Sequence, residues 1–553
     1  MKNGNKLILL AILILSLFVR SYSLLSSPPS LFSDEVDAAY QAYVFNQCGT
    51  DYQGNPLPTH FHSFADNRTS AYIYSIALVQ KIIGPTASSA RIPSIIFGSL
   101  SVLAIFLFVK TRYNQKTAFI ASFLLAISPW AIHYSRTGFE VSGMLFFYIM
   151  ALYYFQLFKR DKLIKYLVIS TVLFVITPYF YSTAKLFTLM TGAVLLATNY
   201  QLLFGKTQFK KTLISLIPAL VISIPLILST IKGESGYRFS YISIFTDPTI
   251  TQQVDSQRLK ISHTKNPDTL GSQPSLVDKL FINKYTLTAK LFTDNYLSSF
   301  STNFLFLTGD ENLRHSSGKG LFYLIDIIFL ILAIKILFKK GSKDLLTLLL
   351  LSPLPFALTR DSTSPHATRL ILMLPFLIIF ISLSIATLTK KHRLLFYPIL
   401  FVYLLSFTHF FHHYLYLYPQ ESSREWHKNI QESVLSLNDI KNDYQNIYFS
   451  NNPEPILPFF LFYTQYLPEN CNFDNTFVHE TVPEFAGISI ENKYHFGLIE
   501  WPQVKDKKGS SLFLVSDLDM ETIKNNISSP NIIDTISSDY ETASVYHLIK
   551  QEN

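Results

Sequence analysis

Long apolar runs with few charges alternate with more polar segments along most of this chain. Apolar blocks lie at approximately 7–23, 92–109, 117–134, 141–158, 164–180, 186–204, 212–231, 319–338, 344–358, 369–388 and 394–412. A block of about 18 residues crosses a hydrocarbon core of about 30 Å as an α-helix, which pairs its own backbone donors and acceptors. The pattern therefore predicts an α-helical polytopic membrane protein with about eleven transmembrane helices. The segment 71–84 is apolar but short and carries Gln80 and Lys81, so it reads as a juxtamembrane helix at the interface. Near residue 413 the long blocks stop. Short β-like runs at 446–450, 511–516 and 543–549, with helical patterns between them, predict a small α/β domain. The expected division is a transmembrane part, 1–413, with outer loops at 24–91 and 232–318, followed by an extracytoplasmic domain, 414–553.

Composition agrees with that division. Of 553 residues, 49% are hydrophobic and only 15% charged, too apolar a balance for a soluble protein of this size. The formal charge of +8 does not point to nucleic acid, because the cations sit in short clusters between apolar blocks. With the N-terminus inside, the loops 110–116, 159–165, 206–211, 339–343 and 390–393 each carry several Lys or Arg, while the opposite loops hold isolated cations. That is the positive-inside pattern, and it predicts a multi-pass protein of the plasma (inner) membrane with a cytoplasmic N-terminus. Counting 71–84 as a full span would reverse every later loop and break the rule. Lys2 and Lys6 before the first block read as a retained signal anchor. Cys48 and Cys471 are the only cysteines, which excludes a disulfide framework and leaves one long-range bridge possible.

Outward-facing polar stretches hold the candidate chemistry. Asp34, Glu35 and Asp37 follow the first apolar block. An acidic helix start explains such a string by capping alone. A carboxylate pair near apolar surroundings is also where pKa values rise and general bases are made. Arg136 and Glu140 are spaced i, i+4 and suit an ion pair on a helix surface. Arg360, His366 and Arg369 cluster at the start of a later helix, where backbone amides favour an anion such as phosphate. A base and an anion site at one membrane surface suit a reaction on a lipid-linked phosphate. A transporter or flippase would instead place its charges near the midplane of pseudo-symmetric halves, and no halves repeat here. A non-catalytic scaffold would leave the first-loop carboxylates without a role.

Taken in order, these motifs resemble the membrane glycosyltransferases of the C superfamily (GT-C), in particular family 39, which includes the protein O-mannosyltransferases. The resemblance rests on Asp34-Glu35, on 128–140 (SPWAIHYSRTGFE), on 304–310 (FLFLTGD) with His315, on 364–369 (SPHATR) and on 423–428 (SREWHK). It implies the GT-C fold and inverting transfer of a sugar from a polyprenyl-phosphate donor to an acceptor hydroxyl of a protein, glycan or lipid on the outer face. Transfer of a whole lipid-linked oligosaccharide is the alternative within the same fold. The resemblance further implies Asp34 as catalytic base with Glu35 as its partner, Arg136 orienting the acids or touching phosphate, and Glu140 holding Arg136. Where relatives carry a Lys-Pro-Pro-like run, this chain has Asp66-Asn67-Arg68-Thr69-Ser70, so Arg68 takes the place of the lysine. No cofactor is implied outright. A divalent metal is a further expectation, with His60 and His62 on one face of a strand near Asp66 as its ligands.

Overall fold

The computed structural model describes residues 3–64, 67–205, 208–233, 241–265, 274–337, 342–360, 364–437, 440–474, 476–504, 510–527, 529–540 and 542–551. It is mostly helical, and its chain forms two compact units, each assembled from separated stretches.

The first unit comprises 1–12, 101–131 and 144–404. Among the described residues of the whole chain, six helices are long and apolar enough to cross a membrane. They are α1 (Asn3–Ser21), α4 (Ala87–Arg112), α7 (Val141–Asp161), Phe209–Ile231, Ala367–Lys391 and Arg393–Tyr416. The protein is thus a multi-pass membrane protein. A seventh span is reached if α5 (Gln115–Ile127) and α6 (Pro129–Arg136), bent by 55° at their junction, count as one. The bend has a local cause: Pro129 has no N–H to continue the ladder of α5. The remaining predicted blocks also hold helices, but shorter ones, such as Ile164–Phe180, Ala184–Thr198 and Ile325–Leu337. The helix 367–391 is 89% buried and packs against α5 and Ile325–Leu337, so it is the core of this unit. Phe209–Ile231 turns Leu213, Ile217, Leu220, Ile224 and Leu228 outward, the lipid-facing stripe expected of a peripheral span.

The second unit comprises 13–100, 132–143 and 405–553. It contains α2 (Ser33–Cys48), a hairpin of β1 (His60–His62) and β2 (Asn67–Thr69), α3 (Ser70–Ile83), and a seven-stranded sheet from the tail. That sheet uses β3 (Asn446–Ser450), β4 (Val478–Val482), β5 (Phe485–Ile490), β6 (Tyr494–Ile499), β7 (Ser511–Ser516), β8 (Asn531–Ile536) and β9 (Tyr546–Gln551) in the order β4-β5-β6-β3-β7-β9-β8. β3 runs parallel to both β6 and β7, and the other pairings are antiparallel. The tail does not close its core alone. Val36, Ala39, Tyr40 and Val44 of α2 are buried with Ile430, Phe449, Phe459 and Phe460, and each buried Val, Ile or Phe contributes about 1.5–3 kcal/mol. A Cys48–Cys471 disulfide joins the end of α2 to the tail.

Candidate active site

Helix α2 is unusual in being buried around most of its circumference, so its acidic first turn needs partners. The helix starts after Phe32, whose backbone is extended, and stops at Gly49, whose φ of 75° is the left-handed geometry that glycine adopts without a Cβ penalty. Glu35 faces inward. Its carboxylate accepts from Phe32 N at 2.9 Å, from Arg91 Nε at 3.0 Å and Nη2 at 3.1 Å, and from Gly138 N. Both Glu35 and Arg91 are fully buried. Gly138 is needed for this approach, because a Cβ there would meet Glu35 Oε1 at 2.9 Å and Ala90 O at 3.1 Å.

Arg91 and Arg136 together bind the backbone that leads into α2. Arg91 also donates to the carbonyls of Leu24, Pro28 and Ser30, and Trp426 lies over its guanidinium at 5.6 Å. Arg136 donates to the carbonyls of Val19, Tyr22, Ser23 and Ser27. Two guanidiniums thereby pair with seven carbonyls of the partly exposed stretch 19–30, most of which lie outside any regular ladder.

Asp34 faces the other way. Its side chain is 47% exposed and accepts from Arg68 Nη2 at 2.7 Å. Arg68 stands opposite Phe61 in the β1–β2 hairpin and donates through Nε to Asp37, which is buried. Burial raises the Asp37 pKa, Arg68 opposes that, and Asp34 adds to it. For Arg68, burial lowers the pKa, and Asp34 and Asp37 more than reverse it, so the guanidinium is firmly charged. The neighbour Ser33 donates to Glu454 Oε1 at 2.8 Å, and Phe32 stacks on His427. The result is an accessible carboxylate clamped by a charged arginine, the arrangement a general base needs if it is to hold one orientation toward an incoming hydroxyl.

Several expectations change on this geometry. Glu35 does not share the Asp34 surface; it is consumed by Arg91 and the helix start. Arg136 gives its donors to backbone carbonyls rather than to the acid pair or to Glu140, and Glu140 contributes to the field at Arg68. His62 is engaged by Asp51 at 3.0 Å and by Asn55 at 3.2 Å, His60 is buried on the same strand, and Asp66 lies outside the described residues. Arg360, His366 and Arg369 belong to the first unit, and each side chain is engaged there. Arg360 stacks on Tyr241 at 4.4 Å, Arg369 donates to Thr359 Oγ1 at 2.9 Å, and His366 packs on His315. The first amide of the helix start, Ala367 N, is taken by Asp310 Oδ2 at 2.8 Å, so the anion there is the protein's own.

The sequence reading gives Asp37 no role beyond the acidic helix start and gives Arg91 none. Asp37 lies three residues after Asp34, a spacing that puts both on one helix face, and Arg91 is a charge at the head of a long apolar block; both signals were present.

Comparisons with known proteins agree with the motifs. Residues 68–228 match the family described as dolichyl-phosphate-mannose-protein mannosyltransferase. The protein YkcB of Bacillus subtilis (strain 168) is 26% identical over 250 residues, which is 42% of this chain and 32% of that protein. The match therefore spans about a third of the relative's length. Among solved structures, ArnT from Cupriavidus metallidurans bound to undecaprenyl phosphate superposes with a TM-score of 0.56 at 11% identity, covering 99% of this chain and 98% of that one. The oligosaccharyltransferase AglB from Archaeoglobus fulgidus, in complex with an inhibitory peptide and a dolichol-phosphate, gives 0.50 at 11% identity, covering 95% and 70%. The resemblance drawn from the motifs is borne out: this chain has the fold of the GT-C membrane glycosyltransferases.

Proposed function

We propose that this protein is an inverting glycosyltransferase that moves a sugar from a polyprenyl-phosphate donor to an acceptor hydroxyl of a protein, glycan or lipid at the outer membrane surface. The observation that carries this reading is the half-exposed Asp34 carboxylate held by Arg68, which Asp37 backs, on a fold matched over nearly its whole length by a structure with bound undecaprenyl phosphate. In this mechanism Asp34 takes the proton of the acceptor hydroxyl as that oxygen attacks the anomeric carbon. Arg68 fixes Asp34, and Glu35 with Arg91 fixes the helix that carries it. The phosphate that leaves with the polyprenyl chain carries the charge released by the broken anomeric bond and needs a cation to neutralise it.

The topology belongs to the same proposal: about eleven crossings, a cytoplasmic N-terminus, a membrane part over 1–413 and an outward α/β part over 414–553. The Cys48–Cys471 bridge supports an outward position for both its ends, because such bonds persist in oxidising compartments. The test is release of polyprenyl phosphate from radiolabelled polyprenyl-phosphate hexose, with envelope extract as acceptor and Asp34→Asn beside wild type. Loss of turnover with donor binding retained is the expected result; equal turnover overturns the assignment of Asp34. Consumption of oligosaccharide donor alone would shift the reading to whole-glycan transfer.

A further inference from the structure

We propose that Asp310, His315 and His366 form a binding site for one divalent transition-metal ion of the zinc class, in the first unit and independent of the transfer chemistry above. Two motifs far apart in sequence meet there. One ligand atom from each of the three residues lies within 4.8 Å of the others. His315 Nδ1 is 3.3 Å from Asp310 Oδ2, and the two imidazoles lie with centroids 4.1 Å apart, tilted by 31°. A separation of 3.3 Å is long for a charge-assisted hydrogen bond, yet it is the edge of a tetrahedron whose metal bonds are about 2.0 Å. Two imidazoles and a carboxylate are a ligand set that zinc takes with a further position left open.

The surroundings fix the carboxylate as a ligand's supporting groups do. Asp310 Oδ1 accepts from Asn312 N at 3.0 Å and Oδ2 from Ala367 N at 2.8 Å. Ser316 Oγ donates to the Asp310 carbonyl at 2.8 Å, which closes the loop that delivers His315. Gly309 enters that loop at φ 77°, and a Cβ there would meet Lys319 O at 2.6 Å. Asp310 is buried while both histidines are partly accessible, so an ion can enter and an imidazole can rotate to close the widest separation. A polar cleft lined by Thr302, Thr308, Gly309, Glu311 and Ser364 flanks the ligands in sequence. One carboxylate leaves a bound dication with net positive charge, so the open position suits an anionic oxygen.

The test uses the full chain in detergent, stripped with a chelator and titrated with Zn²⁺ against a chromophoric competitor. One tight zinc per chain is expected. His315→Gln and His366→Gln should each weaken it by about 100-fold and Asp310→Asn by at least about 10-fold, whereas His412→Gln, at an exposed helix position, should not change it. A second measurement needs no variant: Zn²⁺ should protect His315 and His366, but not His412, from acylation mapped by mass spectrometry. Zinc binding untouched in the His315→Gln/His366→Gln double variant, or no protection in the wild type, overturns the site.

Discussion

Replacing Glu35 by Gln separates the two carboxylates that stand side by side in sequence. In the structure Glu35 accepts from two nitrogens of Arg91 and from two backbone amides, with both members of the ion pair fully buried. A carboxamide has one oxygen to offer and turns an NH₂ toward groups that are already donors. Removing one partner of a buried pair costs about 3–5 kcal/mol, because the other charge stays uncompensated. At about 2–4 °C per kcal/mol for a folding unit of this size, Glu35→Gln should lower the apparent melting temperature by roughly 6–20 °C. Asp34→Asn should behave in the opposite way. Asp34 is itself 47% exposed and Arg68 keeps Asp37 as a partner, so the change should cost no more than about 1 kcal/mol, yet it should reduce turnover by about 10²–10⁴-fold. Tryptophan fluorescence melting reads the first effect, since Trp426 lies over Arg91, and donor turnover per folded molecule reads the second. Glu35→Gln that melts like wild type but is inactive would refute the division of labour, as would Asp34→Asn that melts low.

Three further outcomes follow from the same unit. Gly138→Ala should destabilise by about 1–3 kcal/mol through the clash with Glu35 and Ala90, read as a lowered melting temperature; an unchanged melt would mean that the segment shifts freely. Asp37 has a folded pKa raised above its ordinary 3.8, so its neutral form favours folding, fully below 3.8, and that contribution is lost as pH rises through the raised value. The stability of wild type minus that of Asp37→Asn should therefore fall as pH rises from about 4 and then level off; a difference that grows with pH would reverse the assignment. Cys48 and Cys471 should resist maleimide labelling until the protein is reduced, and labelling of both without reductant would remove the bridge and its support for an outward position.

Much of this fold was legible because membrane crossing is a one-dimensional constraint. Among the described residues helices occupy every predicted apolar block, yet six meet the length test alone, since breaks such as Ser128-Pro129 divide blocks that composition joins. The strand runs at 446–450 and 511–516 appear at those positions, because short apolar runs with β-branched or aromatic side chains suit a strand buried on both faces. The site was legible only as an inventory of charges. Sequence order paired Asp34 with Glu35, whereas consecutive helix positions point about 100° apart, so one carboxylate met solvent and Arg68 while the other met Arg91. Partners 34 and 56 residues away decide those roles, and no local pattern carries such distances. The same holds for Asp310, His315 and His366: each motif stood out alone, and chain folding within one unit brought the second histidine to the first. A charge in an apolar chain announces that it has a partner, and only the fold says which.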